Sequence, residues 1–254
     1  MLAGGRLRLS AEVLFYTALR TVLHILGIGA MFLSLRYLPL ADAVAIAFVM
    51  PFIMLLLGKT VLGEAVGAHR LGAVVVGFGG TLLVIQPNFA NVGAPALLPL
   101  MVAVVFALFM LVTRKIAKRA DPVAMQAVSG LMATAVLGAA LVLAPDGWAE
   151  LRPAWPGARD LVLLGVLGVI GTGAHLLMTA SLRFAPAASL APMQYLEIPV
   201  ATLIGWLVFR DFPDGIAAAG IVVTILAGLY VIRRERLSAA TVPAPHPAAR
   251  RGAR

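Results

Sequence analysis

Long apolar runs constrain this chain more than any other feature. Eight of them, residues 13–35, 40–62, 68–85, 95–112, 123–144, 161–180, 187–209 and 215–232, follow one another with short polar breaks between. About 20 apolar residues in a helix cross the ~30 Å of hydrocarbon in a bilayer. Strands of a membrane barrel are shorter and alternate in polarity, so helices are expected. The third run is the weakest, because its strictly apolar part, Leu71–Ile85, is short, and His69 and Arg70 can extend it by snorkelling to the interface. Apolar residues make up 61% of the 254 positions and charged residues 12%, too few to cover a water-soluble surface, where about a quarter are charged. The expected fold class is an all-α membrane protein of about eight transmembrane helices.

Several functions fall away on composition. The net charge of +9 would suit nucleic acid, but the basic residues sit in loops and at the C-terminus, with the aromatic residues inside apolar runs. No basic, aromatic stacking face results, and no nucleic acid partner is expected. The absence of cysteine removes disulfides and thiolate chemistry. No HExxH, P-loop or GxSxG motif occurs, and His24, His69, His175 and His246 have no ligand spacing. Neither an enzyme, a metal nor a cofactor is expected. Residues 1–13 lack the apolar core and cleavage site of a secretory signal, so the first span is expected to direct insertion.

The loops set the orientation. One set holds Arg6, Arg8, Lys59, Arg70, Arg114, Lys115, Lys118, Arg119, Arg183, Arg233, Arg234, Arg236, Arg250, Arg251 and Arg254. The other holds Arg36, Arg152, Arg159 and Arg210, and Arg20 lies within a span. Fifteen against four places both termini in the cytoplasm by the positive-inside rule. Residues 1–12 form a cytoplasmic N-terminus. Residues 236–254, rich in Pro, Ala and Arg, read as a disordered basic cytoplasmic tail. Trp148 and Trp155 suit an outer interfacial belt.

An internal repeat carries the functional reading. SLRYLPLADAVAIAFVMP from Ser34 recurs as SLRFAPAASLAPMQYLEIP from Ser181, with Pro51 matching Pro199 after one residue of slippage. Further on, Gly72 and Gly80 match Gly220 and Gly228. Both units run span, tight loop, span, loop, span; the first begins with the run at residue 13 on the cytoplasmic side and the second with the run at residue 161 on the outer side, so the copies are inverted. Inverted repeats place a substrate site at their interface near the bilayer midplane, where the halves rock to give alternating access. The competing reading is a duplicated membrane scaffold that transports nothing.

The first repeat, continued by Gly63-Glu64 and GAVVVGFGGTLLVI, resembles the first EamA repeat of the drug/metabolite transporter superfamily. SLRFAPAASLAP, GWLVFRDFPD and GIVVTILAGLYVI resemble the second. The resemblance implies two inverted five-span halves with both ends cytoplasmic, and a secondary transporter of a small metabolite across an inner membrane. Here residues 13–86 supply three spans and residues 95–235 supply five. A transport-competent form is therefore expected to carry two more N-terminal spans. Otherwise the chain is a truncated remnant, or completes its cavity with a second copy as a homodimer.

Ionisable groups within spans are costly and point to function. Glu197, close to the middle of the seventh run and two residues before Pro199, is expected to bind a cationic substrate group or exchange protons. Its structural alternative is pairing with Arg20 or a hydroxyl. Gln194 shares its helix face, while Tyr195 points elsewhere but is retained as a substrate-binding candidate. Arg20 and His24 form one stripe on the first span, Arg20 near its cytoplasmic end, where it can snorkel. His175 follows Gly171 and Gly173, glycines that permit close helix packing. Pro51 and Pro199 are expected to kink their helices symmetrically. Asp42 reads as a helix-start residue, Glu64 as solvated, Gly77, Gly79 and Gly80 as packing glycines, and the methionines as core filler and a soft cavity wall. An apolar cavity with one acid suits an amine-bearing or zwitterionic solute, with the lipid bilayer and protons as further partners.

Overall fold

A computed structural model describes residues 9–87, 93–143, 156–210 and 215–240. Arg6, Arg8, Trp148, Arg152, Trp155 and residues 241–254 lie outside the described residues. Ten helices follow in order: α1 Ala11–Ser34, α2 Leu40–Ala47, α3 Met50–Val61, α4 Ala68–Ile85, α5 Leu97–Ile116, α6 Pro122–Leu143, α7 Ala158–Phe184, α8 Ala187–Leu190, α9 Glu197–Phe209 and α10 Gly215–Ala240. Seven stretches among the described residues are long and apolar enough to cross a membrane. Residues 187–209 are the exception, because that run is divided between α8, a 3-10 segment Ala191–Leu196 and α9. Helix α10 continues to Ala240, past residue 236 where the tail was expected to begin.

The start signals are local. Ser10 caps α1, its side chain accepting from the Val13 amide at 3.4 Å. Asp121 caps α6, with Oδ1 accepting from the amides of Val123 at 2.9 Å and Ala124 at 3.1 Å. Much of the outer surface is apolar, as a chain bathed in lipid requires. Along α7, Leu163, Leu167, Val169, Ile170 and Leu177 are all exposed.

Packing is uneven. Helix α1 lies along α5, and α4 lies along α10. In the repeat, α7 is the counterpart of α1, yet nothing among the described residues covers it as α5 covers α1. A third of the most apolar 18-residue stretch of α1 is buried (33%) and none of that of α7 (0%), whose buried residues, Thr179 and Leu182, lie near its C-terminal end. Gly171 and Gly173 on α7 face open space, since a Cβ on either would meet nothing within 4 Å. The close packing expected of them is therefore not made. Gly79 is likewise open, whereas Gly77 and Gly80 are contact positions. A Cβ on Gly220 would stand 2.6 Å from the Gly80 carbonyl oxygen, so the α4 and α10 backbones touch there.

Charge gathers at one end of the bundle. Arg119 pairs with Glu12 at 2.6 Å, and the Lys115 ammonium donates to the Tyr16 hydroxyl at 2.6 Å. Glu64, expected to be solvated, has a side chain only 11% exposed. Its carboxylate accepts from the amides of Ala187 at 3.1 Å and Ala188 at 2.8 Å, and pairs with Arg114 at 3.5 Å. Arg114 also donates to the Leu182 carbonyl. The first turn of α8 leaves its amides without helical partners, and a carboxylate from a distant loop satisfies them. This knot ties the loop after α3 to α5 and to the turn before α8.

Two outcomes follow. Gly220→Val forces the α4 and α10 backbones apart and should cost about 1–3 kcal/mol by overpacking, seen as a lower detergent-phase melting temperature, while Gly79→Ala leaves it unchanged. The cysteine-free background allows a direct topology test. In intact cells Arg36→Cys should react with a membrane-impermeant maleimide, and Lys118→Cys only after permeabilisation.

Candidate functional site: a cavity and a buried charge cluster

Both interrupted helices turn inward at their breaks. Between α2 and α3, Pro51 has no amide hydrogen to donate, and the Phe52 amide turns to the Val49 carbonyl at 3.0 Å. The Phe48 carbonyl is thereby released from the helical ladder and accepts from the Tyr195 hydroxyl at 3.1 Å. In residues 187–209 the break is longer, with Pro192 in the 3-10 segment and Pro199 in the first turn of α9. Proline is tolerated in a first turn because the amide it lacks would have no helical partner there. Pro51 and Pro199 thus stand where a second helical piece begins, rather than at kinks within continuous helices.

A cavity of about 260 Å³ opens between these breaks. Its wall comes from Ile28 and Met31 on α1, Val44, Ala47, Phe48 and Met50 around the first break, Val102, Ala103 and Phe106 on α5, and Gln194 and Glu197 at the second break. Among the described residues Gln194 and Glu197 supply its only polar side chains. In a 3-10 segment, residues three apart eclipse one another, which brings these two to one face. Glu197 is exposed to the cavity at the start of α9. The Gln194 side-chain amide donates to the Met54 sulfur at 3.3 Å.

Tyr195 does not line the cavity. It is fully buried (0% exposed), its ring stacked on Phe48 at 5.9 Å and set against Gly77, where a Cβ would come within 2.4 Å. It is a strut that joins the second break to the first and to α4. The physical reason is the one-residue offset from Gln194, which turns the ring away from the cavity.

A second cluster stands beside the cavity. Arg20 does not snorkel: it is 1% exposed, its guanidinium carbon 4.9 Å from the centre of the Phe109 ring. Among the described residues no ion pair joins it to Glu197. The His24 and His175 rings are 4.5 Å apart between centres, and Phe109 packs against both, at 5.3 Å and 5.8 Å. Phe106 lines the cavity and stands 5.9 Å from His24. Helices α1, α5 and α7 therefore bring together Arg20, His24 and His175, while the second break separately presents Gln194 and Glu197. Asp42 is buried in the first turn of α2. Among the described residues no group of three or more His, Asp or Glu side chains could hold a metal.

Sequence reasoning missed Phe106, Phe109 and the Glu64–Arg114 knot. The aromatic residues look like any others in an apolar run. For Glu64, the signal was an acid placed after a helix in a chain with few acids.

Comparison with known proteins bears on the fold and the class. A model of the EamA-like transporter family matches residues 94–234. A riboflavin transporter of Rhizobium johnstonii is 29% identical over 85% of this chain and 69% of its own length. An S-adenosylmethionine uptake transporter of Rickettsia prowazekii is 26% identical, covering 92% and 77% respectively. A pseudopaline exporter, CntI, of Pseudomonas aeruginosa is 26% identical, covering 85% and 74%. A solved crystal structure superposes with a TM-score of 0.73 over 91% of this chain and 78% of that chain, at 18% identity, and shares the fold.

Tyr195→Phe removes one buried hydrogen bond and leaves the Phe48 carbonyl unsatisfied. The variant should lose about 1–3 kcal/mol of stability, read as a lower melting temperature.

Proposed function

Because this chain belongs to the EamA-like transporter family, we propose that it moves a small amine-bearing or zwitterionic metabolite across the inner membrane by alternating access. Residues before 87 and after 93 act as the two inverted halves, both termini face the cytoplasm, and the cavity between the broken helices is the binding site. The observation that carries the reading is Glu197, an exposed carboxylate that with Gln194 lines a mostly apolar cavity where the two interrupted helices meet. Interrupted helices at matched places in an inverted repeat are a recurrent setting for substrate sites in secondary transporters.

Glu197 takes the cationic group of the solute, and Gln194 orients it by hydrogen bonding. The apolar wall excludes water and strengthens that ionic contact. Met31 and Met50 form a soft part of the wall that can adapt to the solute. The relatives named for riboflavin, S-adenosylmethionine and pseudopaline support a small-metabolite cargo. Proton exchange at Glu197 couples the cycle to the proton gradient.

Purified protein in proteoliposomes tests this with labelled S-adenosylmethionine, riboflavin and amino acids. At least one should accumulate above protein-free vesicles, faster under an imposed pH gradient. Glu197→Gln should reduce initial uptake by roughly tenfold or more, the loss of one charge-assisted contact of about 1.5–3 kcal/mol, and abolish the response to the gradient. Wild-type uptake by Glu197→Gln would remove Glu197 from the site. Failure of every solute would leave a non-transporting scaffold.

A further inference from the structure

Arg20 is an unusual residue to find without a counter-charge. It lies nine residues into α1, about 14 Å along the axis at 1.5 Å per residue, well inside the ~30 Å hydrocarbon layer. Its exposure is 1%, and neither Nε nor Nη1 has a hydrogen-bond partner. The acids nearest in sequence or at the same end of the bundle are engaged elsewhere: Glu12 with Arg119, Glu64 with Arg114 and the α8 amides, Asp121 with the α6 amides. What surrounds Arg20 is Phe109 and, one turn further along α1, the His24–His175 pair. None of these groups supplies a negative charge.

A second group without a partner stands at the same level. Helices α1 and α7 run in opposite directions through the expected membrane, and His24 meets His175. One turn towards the cytoplasmic end from His24 is Arg20, and one turn the same way from His175 is Thr179. Thr179 is 0% exposed and its hydroxyl also has no hydrogen-bond partner. Arg20 and Thr179 thus each lie one turn from the His24–His175 contact, and each carries donors without a partner: Nε and Nη1 of the guanidinium and the Thr179 hydroxyl. Buried polar groups are rarely left unpaired, and an unpaired charge in a membrane span marks a ligand path. Three donors with one positive charge match an oxyanion.

We propose that Arg20 and Thr179, flanked by His24 and His175, form an oxyanion subsite for the carboxylate or phosphate group of the transported solute. The inference deepens the proposed transport function and rests on it for the identity of the bound molecule. Phe106 of the cavity wall also packs on His24, so an aromatic ring links the cavity to the subsite. The solute then lies with its cationic end at Glu197 and its anionic end towards Arg20, which narrows the cargo to zwitterions.

The test does not need the natural cargo. Protein carrying carbon-13 at its four histidines is titrated with inorganic phosphate and, in a parallel arm, with acetate, against chloride at equal ionic strength. The His24 and His175 signals, assigned from His24→Gln and His175→Gln, should shift and saturate with at least one oxyanion and not with chloride. The arm that saturates distinguishes phosphate from carboxylate recognition. Arg20→Gln should weaken the response by about tenfold or more, with Arg20→Lys intermediate. Should Arg20→Gln fail to fold, Thr179→Val, which keeps the shape and deletes the hydroxyl, should still weaken it several-fold. Identical responses to chloride and oxyanions, or full responses in both Arg20→Gln and Thr179→Val, would overturn the subsite. Glu197→Gln separates this from the transport reading: it should lose uptake yet keep the oxyanion titration.

Discussion

Backbone polar groups within a lipid bilayer must find partners inside the protein, and the rest of this structure depends on how two broken helices meet that demand. A continuous helix satisfies itself. An interrupted one exposes carbonyls and amides at a depth where no bulk water reaches them. Here the Phe48 carbonyl, released next to Pro51, is taken up by the Tyr195 hydroxyl from the other break. The first break is stabilised by the second, so the cavity between them has a defined shape.

The same logic recurs at the bundle end. The amides that begin α8 are satisfied by Glu64, which Arg114 holds in place while also bonding the Leu182 carbonyl. Helix α8 is only four residues long and would not persist on propensity alone. It exists because a carboxylate from the loop after α3 caps it. That contact crosses between the chain's two sets of helices. Any rocking of one set on the other has to strain or release it, while the α4–α10 contact through Gly80 and Gly220 brings backbone close to backbone.

Charge is distributed with comparable economy. At the basic end, the acids that pair do so with arginines at the surface or partly buried. The interior retains Glu197 beside an apolar cavity and Arg20 beside an aromatic wall, with no ion pair joining them. Oppositely charged groups kept apart in a low-dielectric interior interact strongly with anything that bridges them.

Much of this was legible in the chain itself. Eight apolar runs, the repeat of SLRYLP and SLRFAP, and the matched positions of Pro51 and Pro199 follow from residue chemistry and period, because lipid tolerates few ways to arrange them. Gln194 and Glu197 could be placed on one face from their spacing of three. Tertiary structure decided the rest. Arg20 reads as an interfacial arginine until α5 is seen to bury it under Phe109. Tyr195, already off the Gln194–Glu197 face by its spacing, stays a substrate-binding candidate in the sequence until its ring is found on Gly77. Glu64 reads as a solvated loop acid until α8 arrives from over a hundred residues away. Local pattern determines what enters the membrane and where a helix must break. Which polar group answers another across helices depends on packing between segments distant in sequence, and no local pattern records it.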